Sequence, residues 1–283
     1  MLPSVSARNF PSLPGHESPK KTEGAYRPAE KACGTESLVE SRPQWLPSSV
    51  AHRIVRSPTQ NTRPIKFDHK KGTTTLGMVV RDGIVLAVDS RASSGQYIAS
   101  QTVMKLLHIN ENMLGTMAGG AADCQFWFRV LSQECRLWEL RKGHKITVKA
   151  ASKILANIMF HYRNHGMSMG SMVAGYDESD QSDGSSPFHL YYIDDQGDRI
   201  TNNMFCVGSG SVYAYGVLDT EYRHDLSIDE AVAVARRSVY HATHRDCFSG
   251  GIVTVYTITK AGCTKISRDD QTDLHQRYLS QSN

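Results

Sequence analysis

Gly72-Thr73-Thr74-Thr75-Leu76 is the stretch on which the chain turns, because a polar, proline-interrupted leader ends there and a strongly patterned domain begins. A small glycine followed by threonine at such a boundary has the chemistry of an N-terminal nucleophile. Cutting the Gly72-Thr73 bond would give Thr73 a free α-amine beside its own hydroxyl. The same residues are also ordinary strand material, since β-branched side chains suit a pleated surface. The choice between these readings falls to the rest of the chain.

The 283 residues leave room for one large domain or two small ones, and 40% apolar residues suffice for a core. Residues 1–72 hold 12 Lys and Arg against 6 Asp and Glu, leaving 20 against 22 beyond them, so the formal charge of +4 resides in the leader. The folded part therefore gives no electrostatic reason to expect a nucleic-acid partner. Nine of the ten prolines also precede Gly72, which predicts a mostly disordered leader. It lacks the apolar run of a secretory signal, Glu17, Glu23, Glu30 and Glu36 count against a transit peptide, and no stretch is apolar enough to span a membrane. Six singly placed cysteines read as reduced thiols of an intracellular protein, with no metal site, disulfide frame or cofactor expected.

Beyond the junction, Thr73 to Val80 and Ile84 to Ala92 are strand-like runs joined by the turn Arg81-Asp82-Gly83, and Lys105 to Ile109 and Met113 to Ala118 follow. The period then changes. Cys124, Trp127, Phe128, Leu131, Cys135 and Trp138 mark one buried helical stripe, and Ile154, Leu155, Ile158 and Met159 mark another within 148–164. Strand pattern returns at 171–176, 188–194 and 204–207, with the polar segment 177–187 expected as a solvated hairpin loop. Gly208-Ser209-Gly210-Ser211 resembles a phosphate loop only superficially, because no Lys-Ser or Lys-Thr follows it. Ser227 and Glu230 predict a capping box opening a third helix to Thr243, and strands at 252–259 and 263–267 close the domain. This order does not alternate as βαβ units do, so it predicts α+β with antiparallel sheets covered by helices.

Several blocks together, at 72–76, 87–92, 98–103, 114–124 and 207–217, with Arg245-Asp246 and Ser249-Gly250-Gly251, resemble the proteasome β subunits, specifically the β5 type. The resemblance runs from Gly72 almost to the C-terminus and omits the leader. It implies an Ntn-hydrolase fold, a four-layer αββα sandwich of two antiparallel sheets flanked by helices. It also implies two segments: 1–72 as a propeptide removed at Gly72-Thr73, and 73–283 as the hydrolase domain.

By the same resemblance Thr73 is the nucleophile, Lys105 the lysine near its hydroxyl, and Asp89 the carboxylate paired with that lysine. Gly119 supplies the oxyanion-hole N–H, and Ser209, Asp246 and Ser249 surround the new α-amine. Ala92, Val103, Met117, Ala121 and Cys124 fall on an apolar primary pocket without charge at its base, which implies cleavage after large hydrophobic residues. Ser93 and Gly119 fall where substrate backbone would be bound as an added strand. The implied setting is a 28-subunit four-ring particle with other α and β subunits, unfolded polypeptides as substrates and assembly chaperones as helpers, in cytoplasm and nucleus.

The chain departs from the family pattern in three places. Lys70-Lys71 stands before Gly72 where a histidine is usual, Gly77-Met78-Val79-Val80 replaces an aromatic-containing run, and 177–187 is long, features that suggest a diverged or tissue-restricted paralogue. Two other readings remain at this level. A structural β subunit would keep its leader, and a leader serving as an interaction tail would be needed for assembly.

Overall fold

The computed structural model describes residues 72–178 and 186–282. Twelve strands and five helices are found among them. The first sheet has the order β10(Met204–Val207), β1(Thr75–Val80), β2(Gly83–Val88), β11(Ile252–Thr259), β12(Gly262–Asp270). The second has the order β5(Leu106–Asn110), β6(Met113–Gly119), β7(Met169–Tyr176), β8(Phe188–Ile193), β9(Arg199–Thr201). Every pairing is antiparallel, and β3(Ala92–Ser94) with β4(Tyr97–Ser100) makes a separate hairpin.

The layering follows from a period of two along strands that are buried on both faces. On β1 and β2, Leu76, Met78, Val80, Val85 and Ala87 join one core cluster, while Val79, Ile84, Leu86 and Val88 join another. The second cluster continues into Leu106, Leu114, Met172, Ala174 and Leu190, so it fills the space between the sheets. The first is closed by α3(Ser211–Glu221) and α4(Ile228–Arg245), through Ala214, Leu218, Ala231, Ala235 and Val239, and by Leu274 of α5(Gln271–Ser282). On the far side α1(Ala121–Lys142) packs on β5 and β6, and α2(Val148–His161) packs on β7 and β8. Gly115 admits the Phe128 ring at a spot that any Cβ would fill. This is the expected α+β sandwich of two antiparallel sheets between helices.

Several details differ from the sequence reading. Strand β1 starts at Thr75 and β2 stops at Val88, so Thr73, Thr74, Asp89 and Arg91 lie just outside the ladder. Trp138 is 37% exposed and leaves the buried stripe of α1, which instead includes Val130. Asp177 is buried, and its carboxylate accepts the Val148 N–H at 2.9 Å, capping α2. Residues 179–185 of the predicted hairpin loop lie outside the described residues. The Ser227 box is present, with Ser227 N–H donating to Glu230 at 2.9 Å and Glu230 N–H returning to Ser227 Oγ at 3.4 Å.

Candidate active site

Strand register alone brings most of the site together. β1 runs antiparallel to β2 and β10, with Thr75 opposite both Val88 and Val207. The residues just before Thr75 must therefore lie beside those just after Val88 and Val207. Thr74 N–H donates to Asp89 Oδ1 at 2.9 Å, and Thr73 N–H donates to Ser209 Oγ at 3.2 Å. In the other sheet Leu106 faces Thr116, and Met117 N–H donates to the Lys105 carbonyl at 2.9 Å. Lys105 thus stands at the sheet end facing Asp89.

Lys105 Nζ lies 2.6 Å from Asp89 Oδ1, with 4% and 0% of the two side chains exposed. Burial lowers the Lys105 pKa, opposed by the Asp89 carboxylate, and burial raises that of Asp89, opposed by the lysine. Mutual contact and backbone N–H groups favour the charged forms against that burial: besides Thr74, Arg91 donates to Asp89 Oδ2 at 3.2 Å and Gly250 at 3.1 Å. Lys105 Nζ also reaches the Gly72 carbonyl oxygen at 3.4 Å, and the Thr73 hydroxyl donates to that same oxygen at 2.5 Å. Hydroxyl, ammonium and the Gly72-Thr73 peptide thus converge. A Cβ on Gly72 would overlap Phe248, so only glycine fits this approach.

The opposite flank of Thr73 is built from hydroxyls. Asp246 caps the end of α4, and its Oδ2 accepts from Ser209 Oγ at 2.5 Å and Ser249 Oγ at 2.6 Å. Its Oδ1 accepts the Phe248 N–H at 3.1 Å. All three residues are thereby joined to the Thr73 nitrogen through Ser209.

A cavity of about 210 Å³ opens at Thr73, bordered by Ala92, Ser93, Val103, Lys105, Met117, Gly119 and Ala121. Gly119 has φ +106°, and a Cβ there would overlap the Ser168 carbonyl, so backbone conformation and space both require glycine. Arg91 and Asp123 also border the cavity, two charged groups that the apolar reading of the pocket did not include. Cys124 does not reach the lining; it is fully buried, with its thiol 3.6 Å from the Ala118 carbonyl. Among the described residues no group of three or more His, Cys, Asp or Glu side chains is arranged to hold a metal ion.

Sequence reading passed over Thr74, Ser90, Arg91 and Gly250. Ser90 Oγ donates to the Gln101 carbonyl and accepts the Ile252 N–H at 2.7 Å, fastening the end of β2 to β11. Arg91 donates to Gln101 Oε1 and the Cys247 carbonyl, both at 3.1 Å, and so ties the cavity wall to the Asp246 loop. The one available signal was position, since each of these residues lies inside a recognised block.

Residues 69–258 match a family model described as "Proteasome subunit". The chain is 53% identical over 210 residues to proteasome subunit beta type-5-A of Arabidopsis thaliana, covering 74% of each chain. It is 50% identical over 218 residues to proteasome subunit beta type-5 of Dictyostelium discoideum, covering 77% of each. It is 49% identical over 216 residues to proteasome subunit beta type-8 of Rattus norvegicus, covering 76% of each. The chain belongs to the proteasome subunit family, with the β type-5 and type-8 subunits as its relatives.

Proposed function

We propose that Thr73 becomes the N-terminal nucleophile of a β5-type threonine endopeptidase, after the segment 1–72 is removed by the chain's own chemistry. The observation that carries this reading is the convergence on one residue of two unlike groups. The buried Asp89–Lys105 pair faces its hydroxyl side, and the Ser209–Asp246–Ser249 network faces its nitrogen.

In the intact chain Thr73 Oγ adds to the Gly72 carbonyl carbon, and the hydroxyl proton passes to the Thr73 nitrogen as the C–N bond breaks. This moves the acyl group from nitrogen to oxygen. Lys105, already within reach of the Gly72 oxygen, stabilises the charge that develops there. Water then hydrolyses the ester, releasing the leader and leaving a free α-amine on Thr73.

For a peptide substrate the α-amine takes the Thr73 hydroxyl proton as Oγ attacks the scissile carbonyl, and returns it to the leaving amine. The Gly119 N–H serves the oxyanion. Water completes the cycle by cleaving the acyl-enzyme. Val103, Met117, Ala92 and Ala121 favour a large hydrophobic residue before the cut bond, because a charged one would be buried unpaired against them. Arg91 and Asp123 border the same cavity.

The family implies assembly with other proteasome subunits into a core particle. Our fuller reading is a 28-subunit particle of four rings that degrades unfolded chains in cytoplasm and nucleus, with chaperones assisting assembly. Purified particles supply the test. Labelling by an electrophile that needs both a threonine hydroxyl and its α-amine is expected on Thr73. A chain that retains Gly72 and resists the label refutes the reading.

A further inference from the structure

Thr74, the residue after the nucleophile, is fully buried and lies between the two networks. Its backbone N–H holds Asp89 Oδ1 at 2.9 Å, while its hydroxyl lies 2.8 Å from Ser249 Oγ. The direction of that second bond follows from counting protons. Ser249 has one hydroxyl proton and gives it to Asp246 Oδ2 at 2.6 Å, so it accepts from Thr74. Ser209 gives its single proton to the same carboxylate oxygen at 2.5 Å in preference to the Thr73 carbonyl at 3.5 Å. It therefore accepts from the Thr73 nitrogen.

The space around this hydroxyl supplies an independent observation. Gly210 has ordinary helical angles (φ −85°, ψ 0°), so its backbone does not require glycine. A Cβ there would instead overlap Thr74 Oγ1 and come within 3.2 Å of Ser249 Oγ. The glycine of Ser209-Gly210 thus leaves room for the Thr74–Ser249 bond.

We propose that Thr74 is a positioning residue, whose hydroxyl donates to Ser249 and so orients the Ser249–Asp246–Ser209 network that holds the Thr73 nitrogen. Its backbone ties that network to the Asp89–Lys105 pair. This rests on Thr73 being the nucleophile. Loss of the hydroxyl leaves a fully buried Ser249 acceptor unpaired and held by its bond to Asp246 alone, which loosens the nucleophile without touching the substrate cavity.

Thr74→Val keeps the shape and removes the hydroxyl; Thr74→Ser keeps the hydroxyl. Each is placed in assembled particles and assayed on a peptide with a large hydrophobic residue before the cut bond. Thr74→Val is expected to lower kcat about three- to tenfold with KM unchanged. Thr74→Ser is expected to restore wild-type kcat. In a Ser249→Ala background Thr74→Val is expected to add no further loss, because both act through one bond.

Equal kcat for Thr74→Val and wild type, an additive loss in the double variant, or a Ser variant as slow as the Val variant would overturn the proposal. Should the Val variant fail to assemble, Thr74→Ala against Thr74→Ser makes the same comparison, and equal kcat for those two overturns it. A wild-type particle without a chain beginning at Thr73 would refute the nucleophile reading, an outcome distinct from all of these.

Discussion

Two carboxylates flank Thr73 and are used differently. Asp89 is fully buried beside a buried lysine and takes donors from Thr74, Arg91 and Gly250, so it supports a charge on the side of the Thr73 hydroxyl. Asp246, at the end of a helix, is 8% exposed and takes two serine hydroxyls and one backbone N–H, so it supports a position at the nitrogen. An ion pair in low dielectric is costly to break on one side only. A chain of neutral hydroxyls loses about one net hydrogen bond per deletion. The two flanks should therefore fail by different amounts and in different observables.

The largest effect comes from the residue both flanks serve. Thr73→Ala removes the attacking oxygen, so the bond after Gly72 stays intact and this subunit's peptidase activity falls to background, read by intact mass and peptide turnover. Lys105→Met follows. It strands the Asp89 carboxylate, at a cost of about 3–5 kcal/mol to the fold, and lowers turnover by about 10²- to 10⁴-fold. Amide exchange at Thr74, Arg91 and Gly250, the three backbone donors to Asp89, should accelerate, whereas unchanged exchange would mean that the pair is not what orders this end of the sheets.

An effect of pH separates the flanks further. Burial lowers the Lys105 pKa from the usual 10.5, and only the ammonium form brings a positive charge to the Gly72 oxygen. Leader removal should therefore be at full rate below that lowered pKa and slow as pH rises through it, earlier than an ordinary lysine would allow. A rate that climbs through the same range would make Lys105 a proton acceptor instead. The smallest effect belongs to the hydroxyl flank: Ser209→Ala should cost about three- to tenfold in kcat, with the leader still removed.

Much of this arrangement is legible in the sequence, and the exceptions have physical causes. The hairpin at Arg81-Asp82-Gly83, the helix opened by Ser227 and Glu230, and the α+β order were legible because each is set by local chemistry. Helix α3 was not, because Val212 and Tyr213 are exposed and Gly216 sits at its middle, which erases a one-sided apolar stripe. Helix α5 escaped because Leu274 is its single described residue in the fully buried core, and the β3–β4 hairpin because Tyr97 and Ile98 face outward. In the site, Asp89 and Ser209 lie within blocks of resemblance and Lys105 between two of them. Thr74 was hidden in a threonine run whose three members look alike in sequence and differ only in what they touch: Gly72 and Ser209, Asp89 and Ser249, or the Val207 carbonyl.

On the proposed reading, one peptide bond separates an inactive precursor from the enzyme. The most direct measurement is the intact mass and N-terminal sequence of this subunit from native particles. A chain beginning Thr73-Thr74-Thr75-Leu76 with an unblocked α-amine is expected. A chain that still carries Gly72 in particles that cut after large hydrophobic residues at this subunit would contradict it.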